Sequence, residues 1–287
     1  MSDAEIARLV DLSRYPLLDP DIDAGRELVD RARRDLAACG CSVLRGFIRP
    51  DQLDELRREG ADLASASYDT VETVNAYNLG PDAVRGLPDE HPARIPMRRG
   101  NAFVARDRIP ADAIVHRLYT SRAFQRFVAL CFGLPALYEL GDPLAGLVLN
   151  VITPGREHPW HFDTNEFTVS MLTQAPDRGG EFEYCPNIRT PQRENLDAVR
   201  AVVTGADRTP VRRLVLDPGD LQLFQGRYAL HRVCPPGGGR SRHTAIFAYS
   251  ERPGVIGTVA RTRQLFGRVL PEHEAAASKV RVDALLD

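Results

Sequence analysis

The chain of 287 residues has a single lysine, Lys279, among its 37 basic residues, and a single tryptophan, Trp160. A basic set made almost wholly of arginine reads chiefly as a compositional bias. The competing reading is recognition of carboxylate or phosphate, which the planar guanidinium fork suits. Charge of one sign is also missing: the formal net charge is −2 at pH 7, which removes the electrostatic case for nucleic acid or an anionic membrane as a partner. Long hydrophobic runs are absent. The longest apolar stretch, Ala145 to Ile152, is far too short to span a bilayer. The opening residues, MSDAEIARLVDL, are acidic and polar and lack the build of a secretory leader. No cysteine framework is visible either. The five cysteines, at 39, 41, 131, 185 and 234, are odd in number and irregularly spaced, as expected in a reducing compartment. Cys39 and Cys41 are separated by one residue, which is neither a thioredoxin pair nor a zinc knuckle. The expectation is a soluble, cytoplasmic protein acting on a small molecule, with no nucleic-acid or membrane partner and an open oligomeric state.

Hydrophobic residues at 43% and charged residues at 26% are those of an ordinary globular protein. No internal repeat or linker divides the chain, so residues 1–287 are expected to form one domain in three parts. Residues 1–144 read as largely helical with a loop, 145–255 as a β-rich core, and 256–287 as a C-terminal segment. Ala24 to Ala38 carries Leu28, Ala32 and Leu36 at helical spacing before Gly40. Ser42 to Ile48 reads as a strand, Pro50-Asp51 opens a second helix to Leu63, and Ser121 to Cys131 is a third. Residues 67–110 are rich in Pro, Gly and Arg with weak periodicity and read as loop with isolated turns. From Ala145 short β-type runs follow one another: Leu147–Ile152, Phe167–Thr173, Glu181–Tyr184, Arg213–Leu216, Asp220–Phe224 and His243–Tyr249. Turn signals separate them, among them Pro154-Gly155, Asp217-Pro218-Gly219 and the glycines at 237–239. This pattern predicts a mainly β fold with α additions, a jelly-roll or cupin-like barrel behind N-terminal helices. Residues 190–212 interrupt it with a polar, helix-capable insertion from Glu194 to Val203, and a short helix is expected near Glu272–Lys279.

No Gly-x-Ser-x-Gly elbow, phosphate loop or dinucleotide turn is present. What stands out is His158-Pro159-Trp160-His161-Phe162-Asp163. On an extended backbone, side chains at i and i+2 share a face, so His161 and Asp163 can reach one metal. His231 follows seventy positions later, just after an expected strand. Two imidazoles and one carboxylate on one face of a metal leave open positions, the set that suits non-haem Fe(II) oxygenases. A lone His-x-Asp is weak, since chance supplies one readily in a chain with seven histidines. Its context strengthens it: eleven residues past His231 come Arg242 and, on the same face of the last strand, Thr244. A guanidinium there can take the distal carboxylate of 2-oxoglutarate through two parallel hydrogen bonds, with the hydroxyl adding a third. The bland alternative makes Arg242 one surface arginine among 36.

His161-x-Asp163, His231 and Arg242-x-Thr244 together resemble the Fe(II)/2-oxoglutarate-dependent oxygenases over roughly residues 145–255. Trp160 to Phe167 and Gly179-Gly180-Glu181-Phe182-Glu183-Tyr184 are similar to the branch of free amino-acid halogenases and their hydroxylase relatives. The resemblance implies a double-stranded β-helix fold, Fe(II), 2-oxoglutarate and O2 as cofactor and co-substrates, and decarboxylation of 2-oxoglutarate to succinate and CO2 coupled to substrate oxidation. Halogenases of that branch carry a small residue at the carboxylate position, where halide binds. This chain keeps Asp163, so the resemblance implies hydroxylation or a related oxidation of a small polar substrate, such as an amino acid or derivative in specialised metabolism.

Other residues are weighed beside these. His158 and Thr164 flank the metal motif and are candidates for holding substrate; a turn after Pro154-Gly155 is the competing reading of His158. Glu166 is expected in an ion pair on the opposite face. Glu181 or Glu183 could brace a ligand imidazole or pair with arginine, Asn150 could face the co-substrate, and Trp160 is expected to pack beside the site. The histidines at 91, 116, 243 and 273 lack ligand spacing. Two rivals remain open: a cupin-like metal enzyme, dioxygenase or isomerase, that does not use 2-oxoglutarate, and a non-catalytic β-barrel binding protein with a vestigial metal site.

Overall fold

A computed structural model describes residues 1–276. The chain begins with α1 (Asp3–Leu9) and α2 (Asp23–Cys39), then β1 (Cys41–Leu44) and α3 (Leu53–Ala64). Residues 67–110 carry β2 (Tyr68–Asp69), β3 (Glu72–Val74), α4 (Pro81–Arg85), β4 (Met97–Arg99) and β5 (Ala102–Val104). Helices α5 (Ile114–Tyr119) and α6 (Arg122–Phe132) and the short β6 (Tyr138–Glu139) lead to β7 (Leu147–Ile152), β8 (His158–His161), β9 (Thr168–Gln174), β10 (Arg178–Gly179) and β11 (Phe182–Cys185). After α7 (Leu196–Thr204) come β12 (Arg212–Leu214), β13 (Leu221–Phe224), β14 (Leu230–Val233), β15 (Pro236–Gly237), β16 (Arg242–Phe247) and β17 (Tyr249–Ser250). Helices α8 (Val259–Phe266) and α9 (Pro271–Ala276) follow.

Two antiparallel sheets dominate. The major one has the order β1-β13-β9-β16-β7-β5-β2, and the minor one β12-β11-β14-β8. Strict alternation sorts the side chains of β16. Ala245 and Phe247 enter the largest apolar cluster, with Leu28, Leu36, Phe124 and Phe127 of the helices. Arg242 and Thr244 therefore face the other way, toward the minor sheet. Between the sheets lies a smaller cluster in which Ile152 and Phe224 of the major sheet meet Phe182, Tyr184 and Val233 of the minor one. Helices, major sheet and minor sheet thus form three layers, and the inner layer boundary is where polar groups converge. The expected mainly β jelly-roll with α additions is the fold observed.

Helix α2 follows its sequence pattern: Leu28, Ala32 and Leu36 are buried, and Gly40, at φ 65°, ends it in the left-handed conformation that glycine adopts without steric cost. Several expectations need correction. The expected strand Ser42 to Ile48 is extended only to Leu44 before turning through Gly46, at φ 57°. Residues 67–110 are not simply loop: β5 joins the major sheet between β7 and β2, and β3 pairs with β4. Strands of two or three residues are too short to show a period. His231 lies inside β14 rather than after a strand, and His158 begins β8 rather than sitting in a turn. Residues 277–279 of the helix expected near Glu272–Lys279 lie outside the described residues. All five cysteines are free, and burial pushes the Cys41 and Cys131 thiols up to about 12. No helix among the described residues is long and apolar enough to cross a membrane.

Candidate metal centre and co-substrate pocket

Pairing of β8 with β14 sets His161 directly opposite His231 in the minor sheet, with the two rings 4.1 Å apart between centroids. The chain leaves β8 at Phe162, and Asp163 is fixed by its backbone N–H donating to Gly226 O at 3.1 Å. Asp163 Oδ1 then lies 3.7 Å from His161 Nε2 and 3.5 Å from His231 Nε2. One ligand atom from each of the three residues lies within 4.8 Å of the other two. Each imidazole is oriented from behind by the backbone: Nδ1 of His161 is 2.8 Å from Pro159 O, and Nδ1 of His231 is 2.9 Å from Ala229 O. A carbonyl oxygen only accepts, so Nδ1 donates in both, and Nε2 is the atom through which each ring, when neutral, can offer a lone pair to the centre.

The second oxygen of Asp163 is held separately. Thr168 on β9 donates its hydroxyl to Oδ2 at 2.7 Å. Gly226 supplies the space: a Cβ there would lie 1.9 Å from Oδ2, so any side chain would displace the carboxylate. Burial followed by neighbouring His231 pushes the His161 pKa below its ordinary value. Burial also works against the Asp163 charge, yet the adjacent imidazoles and the Thr168 hydroxyl hold its carboxyl well below the usual carboxylate range. Neutral imidazole at His161 beside an ionised carboxylate is the protonation state a divalent metal requires. The donor chemistry therefore fits Fe(II): two nitrogens and one oxygen converge on a point with the rest of its surroundings left to other ligands.

Arg242, 5% exposed, donates Nη1 to Thr244 Oγ1 and makes no ion pair among the described residues. Burial lowers its pKa to about 10. A buried guanidinium without a counter-charge is costly, and a bound carboxylate would relieve that cost. Asn150 lies opposite Thr244 on β7 and accepts from Asn101 Nδ2 at 3.1 Å, while Asn101 Oδ1 has no partner among the described residues. Asn150 thus shares the inner face with Arg242 and Thr244.

His158 is buried and stacked on His161, centroids 3.7 Å apart and 15° between planes. Thr164 lies half-buried in the loop after Asp163, its carbonyl accepting from Arg227 Nη1 at 3.2 Å. His243 faces away from the pocket, near Gln174. Glu183 does not brace an imidazole: it pairs with Arg208 and Arg232 on the outer face, where both guanidiniums cover the Trp160 ring. Glu166 makes no ion pair among the described residues; the group it meets is the Glu251 carboxyl.

Four groups at the site are not marked by any pattern in the sequence. Thr168 and Gly226 carry no local signal, because their partner Asp163 is met only through the fold. Arg99 ends β4, inside the stretch read as loop, and is 1% exposed. Its Nη2 meets Glu72 Oε2 at 3.1 Å and Gln264 O at 3.4 Å, while Nε and Nη1 have no partner among the described residues. Arg261 on α8 donates Nη1 to Asn78 Oδ1 and Gln264 Oε1, at 3.1 and 2.6 Å.

Comparison with known proteins agrees with this geometry. The family model for Halogenase D matches residues 96–261, more than half of the chain. Among solved structures, a 2OG-Fe(II) oxygenase family oxidoreductase from Burkholderia pseudomallei is 16% identical, with 79% of this chain and 92% of that one covered and a TM-score of 0.51. A prolyl hydroxylase from Trichoplax adhaerens, in complex with a hypoxia inducible factor peptide fragment, is 15% identical over 81% and 96%, at 0.52. The epimerase SnoN, solved with Fe3+, alpha ketoglutarate and nogalamycin RO, is 14% identical over 78% and 84%, at 0.53. At such identities these structures share the fold. No curated protein shows a significant match to the chain. The chain belongs to the Halogenase D family and is an enzyme of the Fe(II)/2-oxoglutarate-dependent oxygenase type.

Proposed function

We propose that this oxygenase hydroxylates a small polar substrate such as a free amino acid or a derivative of one, and that it does not transfer halide. The observation that carries this reading is Asp163, whose Oδ1 faces both imidazole Nε2 atoms and whose Oδ2 is tied down by Thr168. A carboxylate so held occupies the position that a halide would need. In this reading His161, Asp163 and His231 hold Fe(II), Arg242 pairs with the distal carboxylate of 2-oxoglutarate and Thr244 orients that guanidinium. Bound Fe(II) would supply activation of O2, coupled to decarboxylation of 2-oxoglutarate to succinate and CO2. The chain's own residues do the rest. The two backbone carbonyls behind the imidazoles fix the metal-facing lone pairs. Ile152, Phe182 and Phe224, buried between the sheets, keep water from the inner side of the pocket. His158 and Thr164, beside the ligand set, are read as substrate-facing. The whole chain, 1–287, is read as one oxygenase domain, supported by an apolar cluster running from Ile6 in α1 to Tyr249 in β17.

The unpaired Arg242 favours this reading over a metal enzyme that does without 2-oxoglutarate. The test is a screen of free amino acids for stimulated succinate release in chloride-containing buffer, with product mass recorded. A product heavier by one oxygen atom is expected. A chlorinated product, or succinate release that survives in both His161→Ala and His231→Ala, would overturn it.

A further inference from the structure

Two guanidiniums close to the ligand set are left without full partners, and neither is the one assigned to 2-oxoglutarate. Arg99 reaches in from β4, which lies alongside β8: Gly100 N–H donates to Glu157 O at 3.0 Å, next to His158. Two of its three guanidinium nitrogens, Nε and Nη1, are buried with no acceptor among the described residues. Such groups are rare in folded proteins and call for a ligand or water. Arg261 is presented by α8, three residues before Gln264, whose backbone carbonyl accepts from Arg99 Nη2 at 3.4 Å. Its hydrogen-bond acceptors are two neutral amide oxygens, of Asn78 and Gln264, and it makes no ion pair among the described residues.

The two arginines share one electrostatic neighbourhood with the metal ligands. Both act on His158, which stacks on the His161 ring with centroids 3.7 Å apart. For Arg261 itself, burial and then the positive charge of Arg99 depress the pKa to about 10, offset by Asp163 and Glu72. Of those two carboxylates Asp163 faces the imidazoles, and Glu72 already bonds Arg99 Nη2 and Gln264 Nε2, at 3.1 and 3.0 Å. Two guanidiniums against one remaining carboxylate leave an excess of one positive charge. Like charges brought together where burial limits screening are costly, and no residue among those described cancels the excess.

We infer that the substrate carries net negative charge, as an acidic amino acid or a related dicarboxylic acid does, with Arg99 taking one carboxylate and Arg261 the other. This rests on the oxygenase reading above and narrows its substrate class. Arg99 offers two donors, Nε and Nη1, on separate edges of its guanidinium, and either can meet an oxygen of that carboxylate. Arg261 then discriminates: a second carboxylate meets a cation, an aliphatic side chain leaves that cation unmatched, and an ammonium is repelled.

The experiment uses the full chain with Fe(II), measuring succinate release with aspartate, glutamate, 2-aminoadipate, leucine and lysine, together with calorimetric titration of glutamate and lysine into the metal-free protein. The acidic compounds should stimulate release at least about tenfold more than lysine, the factor that 1.4 kcal/mol of differential binding gives. Heat of binding should appear with glutamate and not with lysine. Arg261→Gln should raise the KM for the best acidic substrate about tenfold while moving the KM for 2-oxoglutarate far less; Arg261→Lys should retain part of the preference, and Arg261→Glu should shift it toward lysine. Preference for leucine or lysine by the unaltered protein would overturn the inference. So would an Arg261→Gln variant whose main defect is in 2-oxoglutarate binding. If no compound binds and 2-oxoglutarate is never consumed, the oxygenase reading fails with it; if 2-oxoglutarate is consumed but acidic compounds neither bind nor stimulate, only this inference falls.

Discussion

At Asp163 the two carboxylate oxygens have separate partners: Oδ1 faces the imidazoles, and Oδ2 accepts the Thr168 hydroxyl at 2.7 Å. Thr168 therefore acts through Asp163, as a positioning residue. Thr168→Val keeps the side-chain shape and removes the donor, freeing the carboxylate to rotate. Affinity for Fe(II) or Co(II) should fall about tenfold or more, in the range found when a partner behind a metal ligand is lost. Thr168→Ser should restore it. Metal titration of the three proteins decides the matter, and equal affinities would remove Thr168 from the account. The residues that carry the chemistry by type are legible in the sequence: His161, Asp163, His231 and Arg242 declare themselves by spacing and alternation. Thr168, Gly226, Arg99 and Arg261 do not. A hydroxyl five positions after a ligand, or a glycine that must lack a Cβ, gains meaning only once distant strands are paired.

Strand β16 shows what alternation achieves at the scale of an element. Its inner face presents Arg242 and Thr244 to the pocket, while its outer face buries His243 against Thr173 and Gly60 of α3. Burial disfavours the imidazolium and lowers the His243 pKa to about 4, below the ordinary 6.5. The unfolded chain thus binds a proton at a higher pH than the folded one. Stability from neutral His243 is complete above about pH 6.5 and declines as pH falls toward 4, by on the order of 3 kcal/mol at most. His243→Gln, which does not titrate, should lose less Tm than the parent between pH 7 and pH 5 in the metal-free protein. Identical pH profiles would refute this. Reading short β-favouring runs between turn signals recovers β7, β9, β13 and β16 from their residues alone. It fails for β2 to β5 because two- or three-residue strands complete no recognisable period, and for β8 because Pro159 and two histidines hide a buried strand behind polar letters. That failure conceals Arg99, since a residue assigned to loop is not asked which face it serves.

For the molecule as a whole, the division of labour between sheets has a thermodynamic consequence. All three proposed metal ligands come from the minor sheet and the loop that leaves it, whereas Arg242 and Thr244 stand on the major sheet. A co-substrate that touches both the metal and Arg242 would tie one sheet to the other across the apolar layer of Ile152, Phe182 and Phe224. Metal alone touches one sheet, and 2-oxoglutarate alone has only its Arg242 end engaged. Their stabilising effects should then exceed the sum of the two measured singly. A ligand at a hundred times its Kd stabilises the folded state by about 2.7 kcal/mol, which is several degrees of Tm for a chain of this size. Under anaerobic conditions, Tm measured with metal, with 2-oxoglutarate and with both should show that excess in the parent protein. In Arg242→Gln the metal shift should persist and the excess should vanish, because the far end of the co-substrate has lost its anchor on the major sheet. Additive shifts in the parent, or an undiminished excess in Arg242→Gln, would mean that the co-substrate does not bridge the sheets through this arginine.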